Sequence, residues 1–151
     1  MATHAGAVAA IEARLTANWA TTPVAFENAA SDPVVLDSNS VPIPWVFCEV
    51  ETDEAGIRGV GTPGSHTVLE TGAVRVTVFV PVGTERATAQ QYADSIGEIF
   101  RVKQFYDTDP GACVRTWTPT VSRGRPAETK NPAGSWWAVT VSIPYEFYNR
   151  A

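Results

Sequence analysis

The 151 residues carry a net charge of −5, with 44% hydrophobic and 18% charged side chains. That length suits one domain burying roughly two-thirds of its unfolded surface, and the composition excludes wholesale disorder. No apolar run approaches the ~20 residues of a membrane-spanning helix, and an acidic balance disfavours specific nucleic-acid binding, which wants a basic stripe.

Eleven glycines, eleven prolines and five tryptophans point to strands and defined loops more than to a helical bundle. The opening MATHAGAVAAIEARL lacks a basic n-region, and Glu12 and Arg14 interrupt its apolar stretch, so no signal peptide is expected. Charge is uneven. Residues 1–73 hold Arg14 and Arg58 against nine carboxylates, whereas residues 74–151 hold nine basic and seven acidic side chains. An acidic half and a mildly basic half could meet between copies of one protein.

In chain order, Val8, Ile11, Leu15 and Trp19 recur at helical spacing, predicting a helix over 4–19 with Thr3 as N-cap. Pro23 to Phe26 reads as a short edge-like strand, and 27–44 as a surface loop with three prolines. Trp45–Glu51 alternates as a strand, with Trp45 and Phe47 on one face and Val46, Cys48 and Val50 on the other. Residues 52–56, TDEAG, read as a turn, with a weaker strand at 57–60 and a flexible tip at 61–66. Residues 51–72 are thus expected to form a projecting hairpin or arm with no large apolar residue at its tip.

Val74, Val76, Val78 and Val80 alternate with Arg75, Thr77 and Phe79 in the clearest strand of the chain. After Pro81 and Gly83 the period changes, and Tyr92, Ile96, Ile99, Phe100 and Lys103 predict a helix over about 85–105. Cys113–Thr118 forms a further strand. Residues 122–134, SRGRPAETKNPAG, read as a second projecting, mobile loop. The closing strand places Val139, Val141, Ile143, Tyr145 and Phe147 on one face, and Pro144 suggests a bulge or edge near its end. The expected fold is α+β: one domain, a mixed and mostly antiparallel sheet, and two covering helices.

Chemistry is sparse. Gly59, Gly61 and Gly64 spell G-x-G-x-x-G, but Pro63 interrupts them and strand follows, so a hairpin tip explains them better than a dinucleotide site. Ser65 and His66 lack an orienting carboxylate, and His66 reads as an exposed loop residue. Asp94 and Glu98 read as a solvated helix face. Cys48 and Cys113 read as two buried thiols, and His4 and His66 hardly complete a zinc site. No catalytic, cofactor or metal site is expected. The candidate contact residues are Arg58 and His66 on the arm and Arg123, Arg125 and Lys130 in the second loop.

The order of elements carries a resemblance. The segment Ile11–Trp19, the strand Pro23–Asn28, the run Trp45–Val50, the strand Val74–Pro81 and the helix Ala89–Phe100 together resemble the tail terminators of long-tailed bacteriophages. The resemblance implies a structural virion protein without cofactor, assembled as a homo-oligomeric, hexameric ring on the head-proximal end of the tail tube. It implies partners in the tail tube protein and a head-completion or neck protein. Alternatives are another neck, head-closure or tail-tube component, or a small-molecule-binding domain or enzyme.

Overall fold

The computed structural model describes residues 1–130 and 132–150. Its elements are α1 (His4–Asn18), β1 (Val24–Phe26), β2 (Trp45–Arg58), β3 (Thr67–Pro81), α2 (Arg86–Phe100), β4 (Gln104–Phe105), β5 (Cys113–Thr116), β6 (Thr120–Val121), β7 (Arg125–Lys130) and β8 (Ala133–Arg150). The strands form one sheet in the order β1-β2-β3-β8-β5-β4, with β6 and β7 also on β8. Among the described residues only β1 against β2 is parallel; the other pairs are antiparallel. The architecture is the expected α+β, mixed and mostly antiparallel.

β3 and β8 make the spine, paired from Thr67↔Arg150 to Pro81↔Trp136. Strand periodicity sends alternate side chains to opposite faces. Val74, Val76, Val78 and Val80 therefore meet Val139, Val141, Ile143, Tyr145 and Phe147 in one core, covered by Ile11 and Leu15 of α1 and Ala89, Ala93, Ile96 and Phe100 of α2. The other face carries a smaller cluster at one end, built on Val35, Trp45, Phe79, Trp136 and Ala138. Toward its middle that face is polar, with Thr77 and Thr140 hydroxyls 3.2 Å apart across the two spine strands.

The start of α1 and the end of α2 are tied down by specific groups. Gly6 N–H donates to Thr3 Oγ1 at 3.0 Å, so Thr3 is the N-cap of α1. α2 ends at Phe100, short of the expected 105. The buried Thr116 hydroxyl donates to the Phe100 carbonyl, and Arg14 Nε donates to the Ile99 carbonyl at 2.8 Å. A cation on the last carbonyls suits both orphan acceptors and the helix dipole. Phe105 then pairs with Val114 in β4, and the Arg14 guanidinium lies 5.2 Å from the Phe105 ring centroid.

Three further expectations are corrected. Residues 52–56 are strand: β2 continues to Arg58, with a register shift between Thr52 and Glu54. Such a bulge absorbs one extra residue without ending the ladder. It also requires Gly72, where an added Cβ would lie 2.9 Å from Tyr145 Cε1 and would overlap the Glu51 carbonyl. The stretch 122–134 is not a loop throughout, because β7 pairs with the start of β8 from Arg125↔Ala138 to Lys130↔Ala133; Asn131 lies outside the described residues. Pro144 is neither bulge nor edge. Its carbonyl accepts from Trp117 N–H at 3.0 Å, at the gap on β8 between the pairings of β6 and β5. A residue's N–H and C=O point to the same side of a strand, so the missing proline donor falls at a break where no ladder bond is needed.

Candidate interaction surfaces

The five candidate contact residues fall into two groups at opposite ends of the sheet. Arg58 pairs with Thr67 where the β2–β3 hairpin closes, and His66 sits in its turn. Arg123, Arg125 and Lys130 are exposed along β7 and the loop before it. β7 borders the start of β8, whereas the hairpin borders its end. His66 differs from expectation: it is half-buried, with an unpartnered, sheltered Nδ1 close to Gly61. Gly59 and Gly64 take positive φ of 82° and 88°, so they serve the turn.

Both outer sheet edges are unpaired over long stretches among the described residues. β1 covers β2 only at Val46–Cys48, leaving Glu49–Arg58 with a free edge. This edge carries Glu49, Glu51, Asp53 and Glu54 against the single Arg58, and Glu51 is engaged by Arg75 of β3. The free edge of β7 carries Arg123, Arg125 and Lys130 about the single Glu128. Exposed edges are templates for pairing with another chain, and charges restrict what can pair there.

Apolar surface is also concentrated at the two ends. Just before the hairpin tip at 61–66, which carries no large apolar residue, Ile57 is 62% exposed and Val60 fully exposed. Beside β7 a groove of about 580 Å³ is lined by Val35, Leu36, Val41, Val82 and Trp136 among others. A second hollow of about 340 Å³ shares Val82 and Trp136 and adds Trp137. The loop that forms one wall is folded by Asp37, whose Oδ1 accepts from Asn39 and Val41 N–H at 2.8 and 3.0 Å.

Catalytic chemistry finds little here. A polar hollow of about 630 Å³ is lined by Gln104, Asp107, Asp109, Cys113, Arg115 and Tyr148 among others. Its groups satisfy one another: Gln104 Nε2 donates to Asp107 at 3.0 Å, and Arg115 Nε donates to Gln104 Oε1 at 3.2 Å beneath the Tyr148 ring. Asp94 is exposed, and exposed Glu98 accepts from Arg101 Nε at 2.6 Å. Burial, with Glu12, Glu27 and Glu49 nearby, pushes the Cys48 thiol up to about 12, so it stays protonated and inert. Cys48 and Cys113 are separated by two intervening strands and several residues of register, roughly 20 Å or more at ordinary strand spacings, too far for a disulfide. Among the described residues no group of three or more His, Cys, Asp or Glu side chains could hold a metal, and no helix is long and apolar enough to cross a membrane.

Two oppositely charged edges and apolar surface at both ends of the sheet suit an assembly component. The sequence pattern of the family described as "Phage tail terminator protein" matches residues 7–145. The chain belongs to that family. Tail terminators are structural rather than enzymatic, and membership makes this protein a component of the phage tail. One solved structure is 24% identical, covering 93% of this chain and 92% of its own, at a TM-score of 0.57; that likeness concerns the fold. Among curated proteins none matches the chain. The family pattern runs from within α1 to Tyr145 in β8 and so takes in α2, β3, both charged edges and most of α1 and β8.

Proposed function

We propose that this tail terminator forms a closed homo-oligomeric ring, a hexamer, that caps the tail tube at its head-proximal end. The ring stops tube polymerisation and presents the surface that a head-completion or neck protein engages. The family match over residues 7–145 carries the reading. It is supported by the uneven surface: a ring uses heterologous contacts, in which one patch meets a different patch on the next copy. The acidic β2 edge and the basic β7 edge are two such patches at opposite sides of one sheet. In this reading Arg58 and His66 sit at the end that reaches a neighbour, and Arg123, Arg125 and Lys130 face an acidic partner surface. Assembly takes place in the host cytoplasm, without cofactor or turnover.

A tail-tube subunit would share much of this surface logic but would stack without limit. Electron microscopy of the concentrated protein separates the two. Single closed rings are expected, with no growth into tubes on raising the concentration. Long stacks would transfer the protein to the tube, and a monomer at all concentrations would remove the ring.

A further inference from the structure

The proposed ring leaves open which surfaces of neighbouring copies touch, and the structure carries that step. We infer that the arm end of one copy, the free β2 edge with Ile57 and Val60, docks on the β7 edge and the Val82–Trp136 groove of the next copy. Three observations converge on this occupant.

The first is charge. The β2 edge from Glu49 to Arg58 bears four carboxylates against one arginine, and the β7 edge with its preceding loop bears three cations against one carboxylate. Charges on an edge strand discourage indiscriminate pairing, yet they favour the one edge of opposite sign. The second is backbone. Both edges carry unpaired N–H and C=O groups on one side, so strand addition between copies would satisfy both at once. The third is apolar surface. Exposed Ile57 and Val60 put apolar surface beside an otherwise charged edge, and a hydrophobic seat on the next copy would take it out of water. The groove beside β7, floored by Trp136 and rimmed by exposed Val82, supplies one at the end that also carries the basic edge.

The contact must be between copies. Arm and groove lie at opposite ends of β3, whose fifteen residues span roughly 45 Å at about 3.3 Å per residue. No arm reaches its own groove. A patch meeting a different patch at the far end of the next molecule is a head-to-tail contact, the kind from which a ring is built when the rotation closes. The inference therefore rests on the ring reading and assigns its interface.

The test uses full-length protein and surface substitutions that leave the core intact. Val60→Asp and Arg125→Glu are each expected to weaken self-association about tenfold or more in sedimentation velocity, with an unchanged circular dichroism spectrum and an unchanged Tm at dilutions where the wild type is also dissociated. The double variant Val60→Cys/Val82→Cys should form interchain disulfides on mild oxidation with diamide, whereas either single variant should not. Rings that form equally well in Val60→Asp and Arg125→Glu, with no interchain cross-link in the double cysteine variant, overturn this interface while the ring stands. A wild type that stays monomeric with and without tail tubes, and a double cysteine variant that does not cross-link, overturn both.

Discussion

Trp45→Ala is expected to lower stability by about 3–5 kcal/mol and Tm by roughly 10–15 °C, the cost of emptying a large aromatic site. Trp45 is almost fully buried on the face opposite the helices. Its ring stacks on Phe79 with centroids 4.3 Å apart and meets Trp136 edge-on at 6.0 Å. Such pairs add to burial alone. The indole N–H of Trp45 has no hydrogen-bond partner, so its contribution comes from packing. Trp45→Phe should therefore cost much less than Trp45→Ala, because no hydrogen bond is lost and the stacking geometry is retained. Equal losses for the two variants would show that the indole N–H matters. Since Trp136 also lines the groove, Trp45→Ala should weaken self-association along with stability.

Phe100→Ala is expected to cost a similar 3–5 kcal/mol, or about that, but to act on stability alone. Phe100 is completely buried at the end of α2, in the cluster that joins both helices to the sheet. Its carbonyl bond to Thr116 belongs to the backbone and survives the truncation. The loss is then transfer free energy plus a cavity. In urea the midpoint should fall with little change in slope, and at temperatures well below Tm the folded fraction should still self-associate normally. Against a typical total stability of about 5–15 kcal/mol, either truncation removes a large share. A loss below about 1 kcal/mol would mean that the site collapses around the smaller side chain.

The spine is legible because it obeys simple periodicity. Val74 to Val80 and Val139 to Phe147 alternate cleanly, and both strands are buried on the face that the helices cover. Ile11 and Leu15 mark the first helix for the same reason, and Thr3 caps it as its residue type predicts. Segments depart from expectation where tertiary pairing outweighs local preference. TDEAG has the composition of a turn, yet these residues extend β2 because β3, held on its other side by β8, offers a continuous ladder. RPAETK shows no apolar alternation because an exposed edge strand needs none. The second helix is shorter than its periodicity suggests. Lys103 and Phe105 continue the apparent period, whereas Thr116, distant in sequence, fixes where the helix stops.

The candidate surfaces are half legible. Arg58, Arg123, Arg125 and Lys130 can be found from charge alone, since a cation on a polar segment stays exposed. Their division between two ends of the sheet is invisible in the sequence, because it depends on the register of β3 with β8. Ile57 and Val60 escape notice for a similar reason. In the sequence 57–60 reads only as a weak strand, and nothing local shows that both side chains stand in solvent beyond the part of the sheet that the helices cover.

The most direct test of a terminator is the length of the tube it terminates. Purified tail tube subunits should be polymerised with and without this protein, and tube lengths measured by electron microscopy. Addition during growth is expected to halt extension, leaving one ring at a single end of each tube. Tubes that lengthen as though nothing had been added, or that incorporate the protein along their walls, would contradict the proposed role.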